Sequence, residues 1–250
     1  MGKFFNLDSP FVQFMNRVAD LMWLNILFLL CCIPVVTVGA SVTAMYYVTL
    51  KMVRNEESYI TKLFFKSFKQ NFLQATVIWI IFITAGFLLF VDYRILSGQM
   101  GLNIDNGTVR TVMQVLLIAV FIFYVFTITF VFPLLSKFDN TIKNTIKNAF
   151  IMSIRHFPAT LGSIALLIIV FLLIYYIPIM SMFAFILLFS VSAYVSSLMF
   201  VRVFDNYIPK TEETRKKDNE NDIQVNEEVL STDKTETDIS DTEITATKEM

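Results

Sequence analysis

The longest uncharged run is the feature that most restricts this chain. From Phe157 to Val201, 45 consecutive residues include no Asp, Glu, Lys, Arg or His. A bilayer core takes about 20 apolar helical residues. At about 1.5 Å of rise per residue, one helix through the whole run would far overshoot it. Pro178 sits in the middle, with 21 residues before it and 23 after, so the run reads as two spanning helices joined by a tight turn. Two further uncharged intervals, 22 residues between Lys69 and Asp92 and 26 between Arg110 and Lys137, each have room for one span.

The amino-terminal interval, Leu21 to Leu50, has 30 uncharged residues broken by Pro34 and Gly39. That is long for one upright span and short for two. Asp8-Ser9-Pro10 has the form of a helix start, a capping side chain followed by proline in the first turn. The expected helices run from Pro10 to about Ile33 and from about Val35 to Val53. The predicted fold is therefore all-α: a polytopic transmembrane helical bundle over residues 1–205. Six helices are favoured, and five remain possible if this interval crosses only once.

The formal net charge of −1 hides a division. Residues 1–203 carry 14 basic and 7 acidic side chains, whereas 204–250 carry 6 basic and 14 acidic. The segment 206–250 is rich in Thr, Glu, Asp, Lys and Asn and has one aromatic residue, Tyr207. Such a composition cannot bury a core, and a disordered acidic tail is expected. Basic residues alternate high, low, high, low, high along the connections: Lys51, Arg54, Lys62, Lys66 and Lys69; then Arg94 and Arg110; then Lys137, Lys143, Lys147 and Arg155; none around Pro178; then Arg202, Lys210 and Arg215–Lys217. Basic loops tend to remain in the cytoplasm, which puts the tail there. A cleavable signal peptide and myristoylation are not expected.

Two basic connections are patterned. Over 58–73, Lys62, Lys66 and Lys69 share one helical stripe, and Phe64, Phe68 and Phe72 another with Phe65 beside it. A short amphipathic helix at the membrane surface is predicted, lysines toward headgroups and aromatics toward acyl chains. The second connection repeats Asn-Thr-Ile-Lys at 140–143 and 144–147. Spacing of four aligns Ile142, Ile146, Phe150 and Ile154, with Lys143 and Lys147 alongside. These five lysines are candidate contacts for the membrane surface or a partner. The neighbouring sequences Ser67-Phe68-Lys69-Gln70 and Ser153-Ile154-Arg155-His156 are weakly alike, as a duplicated three-helix unit would be.

Catalytic chemistry is sparse. His156 is the one histidine, no H-E-x-x-H motif is present, and adjacent Cys31 and Cys32 lack redox or zinc spacing. No glycine-rich phosphate loop or Gly-x-Ser-x-Gly elbow occurs among the seven glycines. Neither enzyme activity, cofactor, metal nor nucleic-acid partner is expected. Asp20 and Asn25 are the candidates for a polar site in the bundle, with a local Asp20–Arg17 ion pair and an Asn25 interhelical hydrogen bond as the ordinary alternatives. Ser192, Ala193, Ser196 and Ser197 give small-residue spacing suited to close packing within the bundle or to an oligomer.

Long stretches of the first half resemble a known family. Phe5-Asn6-Leu7-Asp8-Ser9-Pro10-Phe11 is followed by Cys31-Cys32-Ile33-Pro34-Val35-Val36-Thr37-Val38-Gly39-Ala40. Then come Tyr46-Tyr47-Val48-Thr49-Leu50-Lys51 and Phe65-Lys66-Ser67-Phe68-Lys69-Gln70-Asn71-Phe72. Together these are similar to the YesL family, bacterial integral membrane proteins of unknown function. The resemblance implies a carbohydrate-utilisation setting, because genes of the family often neighbour those for sugar uptake, and subunits of carbohydrate ABC transporters become candidate partners. It implies no catalytic residue. The expected role is an accessory or regulatory component of carbohydrate uptake; the alternative is a small stand-alone transporter or channel, with a polar path through Asn25, Thr37, Thr43, Thr127 and Thr129.

Overall fold

The computed structural model describes residues 10–56, 59–98, 107–176 and 187–207. The chain divides into two units, Met1–Val203 and Phe204–Met250. The turn expected at Pro178, and the tail from residue 208 on, lie outside the described residues.

Among the described residues, seven α-helices follow in order: α1 (Pro10–Cys32), α2 (Val38–Val53), α3 (Ile60–Leu96), α4 (Gly107–Lys137), α5 (Ile142–Arg155), α6 (Phe157–Tyr176) and α7 (Phe189–Asp205). Five segments among the described residues are long and apolar enough to cross a membrane: Phe11–Cys32, Val35–Val53, Ile60–Leu96, Gly107–Lys137 and Phe157–Tyr176. α7 begins in the interval where a sixth span is expected and is not one of these five. The amino-terminal interval is thus two helices, as the six-helix reading requires.

Local chemistry explains that division. Pro34 has no N–H and its ring would clash with the carbonyl four residues earlier, so α1 stops at Cys32. A single 3₁₀ turn, Val35–Thr37, reverses the chain. The Thr37 hydroxyl lies 2.6 Å from the Cys31 carbonyl and 2.7 Å from that of Pro34, serving acceptors that the end of α1 leaves open. The Trp79 indole N–H on α3 donates to the Val35 carbonyl at 2.8 Å and ties the turn to the third helix. Gly39, in the first turn of α2, lies against the backbone of α3: a Cβ there would be 2.6 Å from the Ala75 carbonyl oxygen. Glycine is what lets α2 approach α3 so closely.

At the opposite end of α2 the chain turns through Asn55, which adopts a left-handed backbone (φ 55°) that asparagine tolerates better than most residues. The Arg17 guanidinium donates to the Asn55 side chain, and the Trp23 indole N–H to the Thr61 hydroxyl at 2.9 Å. The start of α1 therefore lies beside the basic α2–α3 turn. α1 and α2 are an antiparallel pair, and their loop is at the far end. Leu21, Leu24, Leu27 and Phe28 of α1 form a shared core with Ala44, Met45, Val48 and Met52 of α2, Leu63 and Phe64 of α3, and Ala193 of α7.

One expectation about the connections is corrected. The segment 58–73 is not a separate surface helix. Its residues from Ile60 on form the first turns of α3, which continues for 37 residues, about 55 Å. Nothing interrupts it, since α3 contains no proline and its one glycine, Gly86, lies in the second half. Its aromatic stripe points inward rather than toward acyl chains: Phe64 is fully buried, and Phe68 stacks on it at 6.1 Å between ring centroids. In the second connection the helix does break. α5 ends at Arg155, and α6 starts at Phe157 with Pro158 in its first turn. The two weakly similar segments consequently have different geometry, continuous in one case and kinked in the other.

The described helices are apolar on the outside, and small polar side chains are buried among the apolar residues of the core. Buried side chains include Asn25, Thr49, Ser67, Ser190, Ser196 and Ser197, whereas Val115, Leu116, Phe171 and Leu73 are each more than 60% exposed. A water-soluble bundle reverses this pattern. Hydrocarbon accepts it, because the helices satisfy their own backbone groups and small polar residues join them.

Candidate functional site

Two polar features stand out, one at the basic end of the helices and one between them. Lys62, Lys66 and Lys69 are exposed along the first turns of α3, and Lys143 and Lys147 are exposed on α5. Among the described residues none of the five forms an ion pair; the Lys62 ammonium sits 4.7 Å from the centre of the Tyr59 ring, an attraction between a cation and a π face. On α5 the inward face is small, with Thr145, Ala149 and Ser153 buried against the bundle. Phe150, Ile151 and Ile154 stay exposed at 38%, 47% and 46%. An exposed apolar row beside exposed lysines is the pattern of a helix lying in a membrane interface.

The two basic elements meet at a cleft of about 490 Å³ lined by Lys69, Gln70, Asn71, Leu73 and Gln74 from α3, and by Asp139, Asn140 and Thr141 before α5. Lys143 follows two residues after Thr141. Asn71 spends its amide N–H groups on its own helix, 3.1 Å from the Ser67 carbonyl and 3.3 Å from its hydroxyl. Thr141 occupies the N-cap position of α5, yet its side chain makes no capping bond. His156, at the α5–α6 break, is held below its ordinary pKa of 6.5 by burial and by neighbouring Arg155.

The second feature is a seam between α7 and the first two helices. Asn25 is fully buried, and its side-chain oxygen accepts the Ser190 backbone N–H at 3.2 Å. The Ser190 hydroxyl donates in turn to the Leu21 carbonyl at 2.6 Å. Farther along α7, Tyr194 receives Arg17 at 2.9 Å, Ser196 pairs with Tyr46, and Ser197 meets Thr49 at 2.8 Å. Ser196, Ser197 and Ala193 thus face inward within the bundle. The expected Arg17–Asp20 ion pair does not form, because the guanidinium goes to Tyr194 and Asn55 instead. Asp20 is half-buried and has no part in the Asn25 contact.

The hydroxyls named for a polar path serve their own helices: Thr43 donates to Gly39, Thr127 to Phe123 and Thr129 to Val125, each to the carbonyl four residues back. Among the described residues no group of three or more His, Cys, Asp or Glu comes together, and Cys31 and Cys32 are free thiols. Of these lining residues the sequence marks Lys69 as a candidate contact, and Gln70, Asn140 and Thr141 only as parts of repeated or shared stretches; Gln74 and Asp139 carry no such mark. Their signal was position: they flank the charges that bound two successive apolar intervals.

Long helices with apolar outer faces, and small polar residues among those buried between them, define a multi-pass helical membrane protein. Residues 21–93, from α1 through most of α3, match the family model described as protein of unknown function DUF624. The chain is 26% identical over 154 residues to the uncharacterized protein YesL of Bacillus subtilis (strain 168), an alignment spanning 61% of this chain and 69% of that one. Residues 21–93 thus carry this domain of unknown function, and the chain is similar to YesL. No solved structure matches it.

Proposed function

We propose that this chain is an accessory or regulatory membrane component of bacterial carbohydrate uptake, without catalytic activity of its own. The observation that supports the reading is the set of exposed lysines at one end of the helices, Lys62, Lys66 and Lys69 on α3 and Lys143 and Lys147 on α5. In a bacterial plasma membrane a basic end faces the cytoplasm, and the acidic carboxyl-terminal tail lies on the same side. There the lysines meet the cytoplasmic rim of a carbohydrate ABC transporter subunit, where basic and acidic patches on two membrane proteins steer their association. The carbohydrate setting rests on the family resemblance.

Affinity purification from a mild detergent tests this, comparing the native chain with a Lys62→Glu, Lys66→Glu, Lys143→Glu, Lys147→Glu variant. The native chain is expected to recover a transporter subunit and the variant to lose it. Recovery of no transporter component, or equal recovery by both, overturns the proposal. Growth of a deletion strain on a panel of oligosaccharides gives the physiological counterpart, a defect confined to particular sugars.

A further inference from the structure

We propose that the cleft between α3 and the α4–α5 connection binds a phospholipid through a headgroup that carries both a phosphate and a primary ammonium, as phosphatidylethanolamine does.

The depth of the cleft follows from the sequence. Lys69 is the last charge before the 22-residue uncharged interval of α3, and Lys137 and Asp139 are the first charges after the 26-residue interval of α4. α3 and α4 are consecutive helices, so these charges bound the apolar zone at the same end. The cleft is therefore at the level of lipid headgroups. Its lining combines one cation, Lys69, with one carboxylate, Asp139, and these do not pair with each other. Gln70, Gln74, Asn140 and Thr141 add amides and a hydroxyl, donors and acceptors in one concave site. A purely anionic headgroup would satisfy Lys69 and be repelled by Asp139. A headgroup of both signs satisfies the two, phosphate at Lys69 and ammonium at Asp139.

The apolar surroundings fit the rest of the lipid. Leu73, on the rim of the cleft, is 76% exposed, and Val77, Ile80 and Phe87 continue from it at 41%, 49% and 63%. Spacings of four, three and seven keep these residues on one helical stripe. That stripe leads from the cleft into the hydrocarbon and offers the acyl chains a track beneath a fixed headgroup.

Lipid retention measured by native mass spectrometry on the full chain in mild detergent tests the assignment. The chain is titrated with phosphatidylethanolamine, phosphatidylglycerol and phosphatidylcholine of matched acyl chains, and with water-soluble phosphoethanolamine. The expected order is phosphatidylethanolamine first by about tenfold, which is 1.4 kcal/mol, with phosphoethanolamine far weaker because it lacks the chains. Asp139→Asn is expected to erase that preference while retaining phosphatidylglycerol. Lys69→Gln is expected to weaken both lipids. Both positions line an open surface cleft, so the variants should fold, and equal unfolding temperatures check that. Three results overturn the proposal: equal retention of the three lipids, a preference unchanged by Asp139→Asn, or phosphoethanolamine binding as tightly as the lipid.

Discussion

The sharpest mechanical prediction concerns Gly39, the point where α2 meets α3. In Gly39→Ala the new Cβ stands 2.6 Å from the Ala75 carbonyl oxygen and 2.7 Å from the Trp79 Cβ. Carbon–oxygen contacts of this kind settle near about 3.3 Å and carbon–carbon contacts at about 3.5 Å or more. The helices must therefore separate by roughly 0.7 Å or slightly more. No rotamer relieves the clash, because the atoms it meets are backbone and Cβ. Overpacking of this size costs about 1–3 kcal/mol. The same displacement stretches the 2.8 Å bond from Trp79 to the Val35 carbonyl, placing a further 0.5–1.5 kcal/mol or so at risk. Alanine returns at most about 1 kcal/mol through helix propensity. The net expectation is a loss of about 1–3 kcal/mol, read as a lower unfolding temperature in detergent with tryptophan emission reporting on Trp79. Gly107→Ala is the control, since nothing lies within 4 Å of a Cβ there, and it should be neutral. A Gly39→Ala protein as stable as the native one would refute the close-approach argument.

Three further outcomes follow from the contacts between helices. Asn25→Leu removes the acceptor of the Ser190 N–H, 3.2 Å away in a buried position, and should cost about 1–3 kcal/mol in detergent unfolding; an unaffected protein would mean the seam does not hold α7. Gly86→Ala puts a Cβ 2.8 Å from the Tyr124 hydroxyl, which donates to the Phe82 carbonyl at 3.0 Å. Tyr124→Phe vacates that space, so a double-mutant cycle should show the Gly86→Ala penalty shrinking in the Tyr124→Phe background; strict additivity would contradict the geometry. For His156 the folded pKa is depressed from 6.5, so at lower pH the unfolded chain binds its proton more readily. Stability is then independent of this group above about pH 6.5 and falls as pH drops from there to the folded pKa. Comparing native protein with His156→Gln between pH 7.5 and 5 should isolate that slope, and parallel curves would remove histidine as its source.

The spans were legible because their signal is coarse: an uncharged run of membrane length is visible without knowing what any side chain touches. Pro34 gave a local stop that the structure respects, at Cys32. The aromatic stripe beside the first lysines differs from expectation for a physical reason. Phe64 and Phe68 have the same periodicity whether they face acyl chains or another helix, and in this protein the partner is α1–α2. Hydrophobic pattern cannot separate lipid from protein as the apolar neighbour. Arg17 shows the converse case. A carboxylate three residues away was the obvious partner, but tertiary packing brings Tyr194 and Asn55, which are 177 and 38 residues distant.

The stretch that carries the family likeness has a structural rather than a chemical purpose. Within Cys31–Ala40, Pro34 ends α1, Thr37 serves the open carbonyls of the turn and Gly39 admits α3, while Trp79 fastens the turn from outside. Each of these choices builds the antiparallel α1–α2 pair and docks it on α3, and none presents a reactive group. The family match, residues 21–93, ends before α4. The cleft, by contrast, takes Lys69 and Gln74 from inside the matched region and Asp139 to Thr141 from outside it. The shared part of the chain thus sets the scaffold and one wall of the site. The wall that gives the cleft its carboxylate is supplied by the connection between α4 and α5. A relative with the same hairpin but another residue at the position of Asp139 would have the same helices around a cleft of different charge, and would be expected to select a different headgroup.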